Sequence, residues 1–187
     1  DRGESSLKVI DTFKKLARKN PGRVVTLTGN HELMALADLD CAREALKETA
    51  SQDPNDYYTR YTAYGAGGSL HGYNGGIDFI KEFGSNPEEA LRNYVKRMSK
   101  EGDVGRWMRK LKPCALMDFE GTKVLFTHAD VPVNAGTAST IRVFAKQYRE
   151  HMRGDSETLG GTQNKYGDKT VVRGRTIFWN RGFSEMR

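Results

Sequence analysis

Val24-Val25-Thr26-Leu27-Thr28-Gly29-Asn30-His31-Glu32 is the stretch from which the fold is read. Val24 to Leu27 is a short, mostly β-branched run, the composition of a strand buried on both faces, and Gly29 ends it. Asn30, His31 and Glu32 follow at its carboxyl end. A second apolar run, Val124-Leu125-Phe126, leads in the same way to Thr127 and His128. Open α/β sheets bind ligands just beyond the carboxyl ends of their strands, so both segments are well placed for a site. Gly29 permits close backbone approach, Asn30 offers a neutral carbonyl oxygen to a metal ion, and His31 can exchange protons. Taken singly, each residue has an ordinary alternative. An asparagine after a strand is a frequent turn residue, and a lone histidine is a frequent hydrogen-bonded polar group.

Working outward, Leu7, Ile10, Phe13, Leu16 and Ala17 follow helical spacing after Ser5 and Ser6, and Asn20-Pro21-Gly22 stops that helix. Helix followed by strand suggests an α/β layer. Residues 38–50 read as helical again, whereas 52–76 is rich in Tyr, Gly and polar residues without a sustained period and reads as a loop or lid. Asn86-Pro87-Glu88-Glu89 is a helix start, because Pro suits the first turn and acidic groups suit the positive end of the helix dipole. Leu91, Tyr94, Val95 and Met98 mark its buried stripe. After a short helix through Trp107, Met108 and Leu111, Cys114 to Phe119 and Lys123 to Thr127 read as a hairpin around Glu120-Gly121. Residues 137–152 are expected as a last long helix with Ile141, Phe144, Ala145, Tyr148 and Met152 on one side, and 176–179 as a closing strand.

Composition bounds the class of protein. The 187 residues suffice for one globular domain, and 37% hydrophobic residues can form a core. The formal charge of +6 comes from thirty basic residues interleaved with twenty-four acidic ones, so the densest basic stretch, 96–112, reads as solvated helix faces. Lys and Arg do not alternate with aromatics along a strand, so no nucleic-acid partner is expected. Cys41 and Cys114 lack the paired spacing of a zinc or redox site and are expected to be reduced, buried thiols. No apolar run approaches the roughly 20 residues of a membrane span, and a soluble chain with the cytoplasm as default compartment is expected. Any targeting segment would precede Asp1.

Asp1-Arg2-Gly3, a helix, a strand, Gly29-Asn30-His31-Glu32-Leu33-Met34 and later Leu125-Phe126-Thr127-His128 together resemble the phosphoprotein phosphatase branch of the calcineurin-like metallophosphatases. Leu33-Met34, Trp107-Met108 and Trp179-Asn180-Arg181-Gly182 look most like the Shewanella-like phosphatases and their bacterial relatives. The resemblance covers essentially the whole chain, through short diagnostic segments. It implies an α/β fold that is part of a metallophosphatase β-sandwich flanked by helices, with a helical lid insertion over 39–112. It also implies a metal-dependent phosphatase acting on phosphate monoesters, such as phosphoserine or phosphothreonine in a protein, through a metal-activated hydroxide. Two divalent ions (Mn2+, Fe2+/Fe3+ or Zn2+) are the implied cofactors. Asn30 and His128 would ligate one of them, and His31 would protonate the leaving alkoxide. Asp1 would hydrogen-bond His31, and Arg2 and Arg181 would grip the phosphate oxygens.

The sequence also departs from the family. Its first Asp and His ligands, the bridging Asp before the Asp-Arg-Gly triplet and the last His ligand are absent, and His71 and His151 read as surface residues rather than substitutes. Thr28 stands where relatives carry Arg. Ala129-Asp130 stands where Gly-Gly is common, and Asp130 either adds a carboxylate near the metals or caps a turn. Two recognisable ligands are too few for a dinuclear centre. Residues 1–187 therefore read as an interior part of a catalytic domain whose N- and C-terminal parts lie outside the chain, with negligible phosphatase activity expected of these residues alone in Mn2+. Hydrolysis of a dinucleotide polyphosphate or another small phosphoester is an alternative, because specificity lives in the lid and loops. A catalytically silent binding module is a second.

Overall fold

The structure, a computed structural model, describes residues 3–47, 56–63 and 69–129, together with Ala145 and Tyr148. The chain opens with helix α1 (Ser6–Lys19), whose last turn carries Arg18 and Lys19 at the negative end of the dipole. Ser5 stands at the N-cap position without making a side-chain cap. Its place is taken from far along the chain. Glu82 accepts hydrogen bonds from the Ser6 amide (2.6 Å) and the Leu7 amide (2.8 Å). Gly22, at a φ of 78°, then turns the backbone into the extended segment 24–28.

The expected strand at 24–27 is realised as a single parallel bridge between Leu27 and Lys112. Thr28 N–H donates to the Lys112 carbonyl at 2.8 Å, and Lys112 N–H donates to the Thr26 carbonyl at 3.1 Å. Residues 24–27 are half-buried rather than enclosed on both faces.

Helices follow in close succession: α2 (Asn30–Ala37), α3 (Leu39–Lys47), α4 (Asp56–Ala63), α5 (Ile77–Lys81), α6 (Pro87–Met98) and α7 (Asp103–Met108). Two of these correct the sequence expectations. The loop expected over 52–76 contains α4, and its end is helical from Leu70 into α5, with a kink at Asn74-Gly75 where Gly75 adopts a φ of 93°. Local composition disfavours helix there, but Tyr61, Phe79 and Ile80 are carried into the core, and burial of that size outweighs a weak propensity. By contrast, α6 begins as its sequence dictates: the Asn86 side chain accepts from Glu89 N–H (2.9 Å) with Pro87 in the first turn. α7 packs on the end of α6 through Gly105, where a Cβ would lie 2.0 Å from the Met98 carbonyl oxygen.

Strands β1 (Cys114–Phe119) and β2 (Thr122–Thr127) form an antiparallel hairpin in register from Cys114↔Thr127 to Phe119↔Thr122. Glu120 and Gly121 both have positive φ, at 51° and 86°, the backbone a two-residue hairpin loop needs to match strand twist. The Asp118 carboxylate accepts from Gly121 N–H at 2.8 Å and fixes the turn.

The molecule is therefore a mixture of helix and strand, as an α/β reading requires. The β-sandwich is not formed among the described residues: their only sheet is this hairpin, and the helices supply most of the burial. Phe119 and Phe126 remain about half exposed on it. Leu33, Leu36 and Leu39 meet Tyr61, Phe79, Leu91, Tyr94 and Met98 in one core, against which Tyr148 is also buried. Ala145 and Tyr148 are helical, as expected; the rest of 137–152 and the strand at 176–179 lie outside the described residues. No helix among the described residues is long and apolar enough to cross a membrane.

Candidate functional site

Two segments far apart in sequence meet where the extended stretch 24–28 passes into α2. Gly29 is the N-cap of α2, with extended backbone, and its N–H donates to Glu32 Oε2 at 2.7 Å. This is one half of a reciprocal cap, since glycine has no side chain to return the bond. The missing side chain has a second effect. A Cβ on Gly29 would lie 2.9 Å from His128 Cε1 and 3.0 Å from Nδ1, so the bare glycine lets the imidazole settle against the start of α2. There His128 Nε2 lies 2.9 Å from Asn30 Oδ1. Because the amide oxygen can only accept, Nε2 carries the proton in this hydrogen bond.

Each side of the contact is held in place. Beneath it, Thr28 is fully buried and accepts a hydrogen bond from the Tyr148 hydroxyl at 3.0 Å. Burial pushes the Tyr148 hydroxyl pKa well above the usual tyrosine range, so it remains a protonated donor. On the other side, the Thr127 hydroxyl donates to the Ala129 carbonyl (2.6 Å), tightening the turn that presents His128 at the end of β2.

Asn30 and His128 thus come together at the start of α2. His31 is half-buried in the first turn of α2, beside Asn30. Asp1, Arg2, Arg181 and Asp130 lie outside the described residues. The donor pair can be tested against a metal ion. Two ligands bound to one ion at about 2.1 Å, roughly at right angles, sit about 3.0 Å apart, close to the observed 2.9 Å. That separation is also the length of the hydrogen bond itself, so the distance is compatible with Asn30 Oδ1 and, with its proton moved to Nδ1, His128 Nε2 as neighbouring ligands of a single divalent ion. Among the described residues, no group of three or more His, Cys, Asp or Glu side chains could hold a metal, so this pair is a partial ligand set.

His71 corrects an expectation. Instead of a surface residue it is completely buried, with Nδ1 2.9 Å from the Tyr61 hydroxyl and its ring stacked on Tyr94 at 6.2 Å. A lone histidine in a Gly- and Tyr-rich segment looks solvent-facing, but aromatic rings on α4, α5 and α6 enclose it. Burial lowers its pKa to about 4, which leaves the ring neutral near pH 7. His151 lies outside the described residues. Cys41 and Cys114 carry reduced thiols, Cys114 buried and Cys41 half-buried, and burial pushes the Cys41 thiol up to about 12. In the basic stretch, Arg97 pairs with Asp103 through two bonds of 2.9 and 2.8 Å, which fits a solvated face.

Glu32 is the residue whose role sequence reasoning missed. Its spacing of three from Gly29 is the available signal, because a carboxylate three residues after an N-cap reaches back to the cap amide. Comparison of the chain with protein-family models, with curated proteins and with solved structures finds no match in any of the three.

Proposed function

We propose that this chain carries part of the catalytic centre of a metal-dependent phosphatase of the calcineurin-like type, hydrolysing phosphate monoesters such as those of phosphoserine and phosphothreonine. The observation that supports the reading is the meeting of Asn30 Oδ1 and His128 Nε2 at 2.9 Å across 98 residues of sequence. In this reading Asn30 and His128 are neighbouring ligands to one divalent ion, once Nε2 has lost its proton. Divalent ions at such a centre supply Lewis acidity toward the phosphoryl oxygens and acidify a water molecule. His31, one residue beyond Asn30, gives its ring proton to the departing alkoxide, and Asp1 holds that ring in orientation. Arg2 and Arg181 grip the phosphate oxygens through their planar guanidinium forks. The segment 39–112 serves as the lid over which substrates are sorted.

The test separates ligand from acid. In a protein carrying the complete set of metal ligands, hydrolysis of p-nitrophenyl phosphate and of a phosphopeptide is measured in Mn2+, alongside Mn2+ affinity by calorimetry. His31→Ala is expected to retain metal affinity and lose about 10²- to 10⁴-fold in turnover, the range of a general acid. Asn30→Ala and His128→Ala are expected to weaken metal affinity itself. Unchanged turnover in His31→Ala removes His31 from the acid role, and unchanged Mn2+ affinity in both ligand variants removes the metal site.

A further inference from the structure

The helical layer is closed over a buried polar cluster that the proposed phosphatase chemistry does not use. At its centre is His71, whose ring lies directly on Gly76: a Cβ there would come within 2.3 Å of His71 Cε1, so the ring has no room to swing on that side. The groups around it arrive from separate helices. From the end of α2, Asp38 Oδ2 accepts the His71 backbone N–H at 2.8 Å and the Ser69 hydroxyl at 2.9 Å. From α4, the Tyr61 hydroxyl lies 2.9 Å from Nδ1. From α6, Tyr94 stacks on the ring while its own hydroxyl donates to the Ala35 carbonyl on α2 at 3.0 Å. From α5, Phe79 meets the ring edge-on at 6.2 Å. Glu32, at the other end of α2, acts only as a distant negative charge.

We propose that His71 is an acid-sensitive latch for the helical layer, proton uptake by its imidazole releasing α4 and residues 70–81 from α6 and from the end of α2. A charged ring carries a second N–H and a full positive charge into a space closed from water by aromatic rings, where the Asp38 carboxylate offsets only part of the lost hydration, whereas in an opened layer the same ring reaches water. The proton therefore binds the open form more tightly and draws the equilibrium toward it. The latch engages α2 at Asp38, while the first turn of the same helix bears Asn30 and His31. At about 1.5 Å per residue, the eight-residue helix spans only about 12 Å, so release at one end loosens the support of the other.

The sign follows from the depressed ring pKa. Stability from the neutral ring is complete above the ordinary value of 6.5 and is lost as pH falls toward about 4. Asp38 works the other way: burial raises its pKa, so its own proton uptake favours the closed form in acid. The histidine contribution is isolated by comparing the wild-type chain with His71→Asn, which keeps a polar side chain that does not titrate. Amide hydrogen exchange over 56–63 and 69–81 is followed from pH 7.5 to 4.5 and corrected for intrinsic rates. The opening constant is expected to rise roughly 70-fold more in the wild type than in the variant. Equal pH dependence in the two overturns the proposal. Should His71→Asn fail to fold, the ring of His71 in the wild type is titrated by NMR. A ring still neutral at pH 5 in the folded protein supports the latch, and a ring that titrates at 6.5 or above overturns it.

Discussion

Glu82→Ala removes the side chain that, among the described residues, caps α1 and is expected to destabilise the protein by about 2 kcal/mol. The magnitude follows from the geometry. Both carboxylate oxygens are engaged, one on the Ser6 amide at 2.6 Å and one on the Leu7 amide at 2.8 Å, and Ser5 supplies no local alternative. Loss of a helix N-cap costs about 0.5–2 kcal/mol, and loss of a negative charge at the positive end of the dipole adds about 0.3–1 kcal/mol. Ser6 is buried, so water replaces the lost acceptor poorly. For a chain of this size, that loss corresponds to a fall in Tm of about 4–8 °C. Urea unfolding followed by circular dichroism gives the global change, and hydrogen exchange at the Ser6 and Leu7 amides gives the local one. Glu82→Gln, which keeps one acceptor and loses the charge, is expected to fall about midway. If Glu82→Ala stays within about 0.5 kcal/mol of wild type while both amides exchange at their original rates, α1 is not capped from a distance and the reasoning fails.

Three further outcomes follow from close contacts. Gly105→Ala places a Cβ 2.0 Å from the Met98 carbonyl oxygen and 2.4 Å from that of Ser99; because both are backbone atoms, a loss of about 3 kcal/mol is expected in chemical denaturation, against about 1 kcal/mol for Gly121→Ala, where φ is positive but the space is open. Tyr148→Phe leaves the buried Thr28 hydroxyl without its donor and is expected to cost about 1–2 kcal/mol, most of which a double variant with Thr28→Val recovers; additive losses in the double-mutant cycle would show that the two hydroxyls do not interact. Gly29→Ala drives a methyl group into His128 and Glu32 and is expected to displace the His128 ring, read as a change in its NMR chemical shifts on the scale produced by Asn30→Ala.

How far these features could be read in advance depended on whether local chemistry agreed with tertiary packing. In α6, Asn86, Pro87 and the acidic first turn all favour the same helix start, and the hairpin turn at Glu120-Gly121 is likewise set by neighbouring residues. At α2 the local signals conflicted. Gly29 and Asn30 look like a turn after a strand, yet Leu33, Met34 and Leu36 enter the core and the backbone coils from Asn30 onward. For α4 and His71 the decisive term is non-local: Tyr61, Phe79 and Tyr94 assemble around the imidazole from three different helices, and no window of neighbouring residues displays that arrangement. That the segments of Asn30 and His128 are each placed for a site was legible from their positions after apolar runs, whereas their contact and the bare face of Gly29 that makes room for the ring appear only once the two segments touch.

The bridge between Leu27 and Lys112 has a topological consequence. Eighty-four residues depart from one side of this seam and come back on the other, so departure and return are neighbours in space. A chain excursion anchored in this manner can gain or lose turns without dragging on the seam, because the distance its ends must span stays fixed. Closure entropy also grows only slowly with length, by about 0.6 kcal/mol per doubling. The architecture thus fixes a junction at Leu27 and Lys112, while the excursion between them carries Asn30 and most of the core, so an added turn keeps the Asn30–His128 contact only where it falls outside the packed helices.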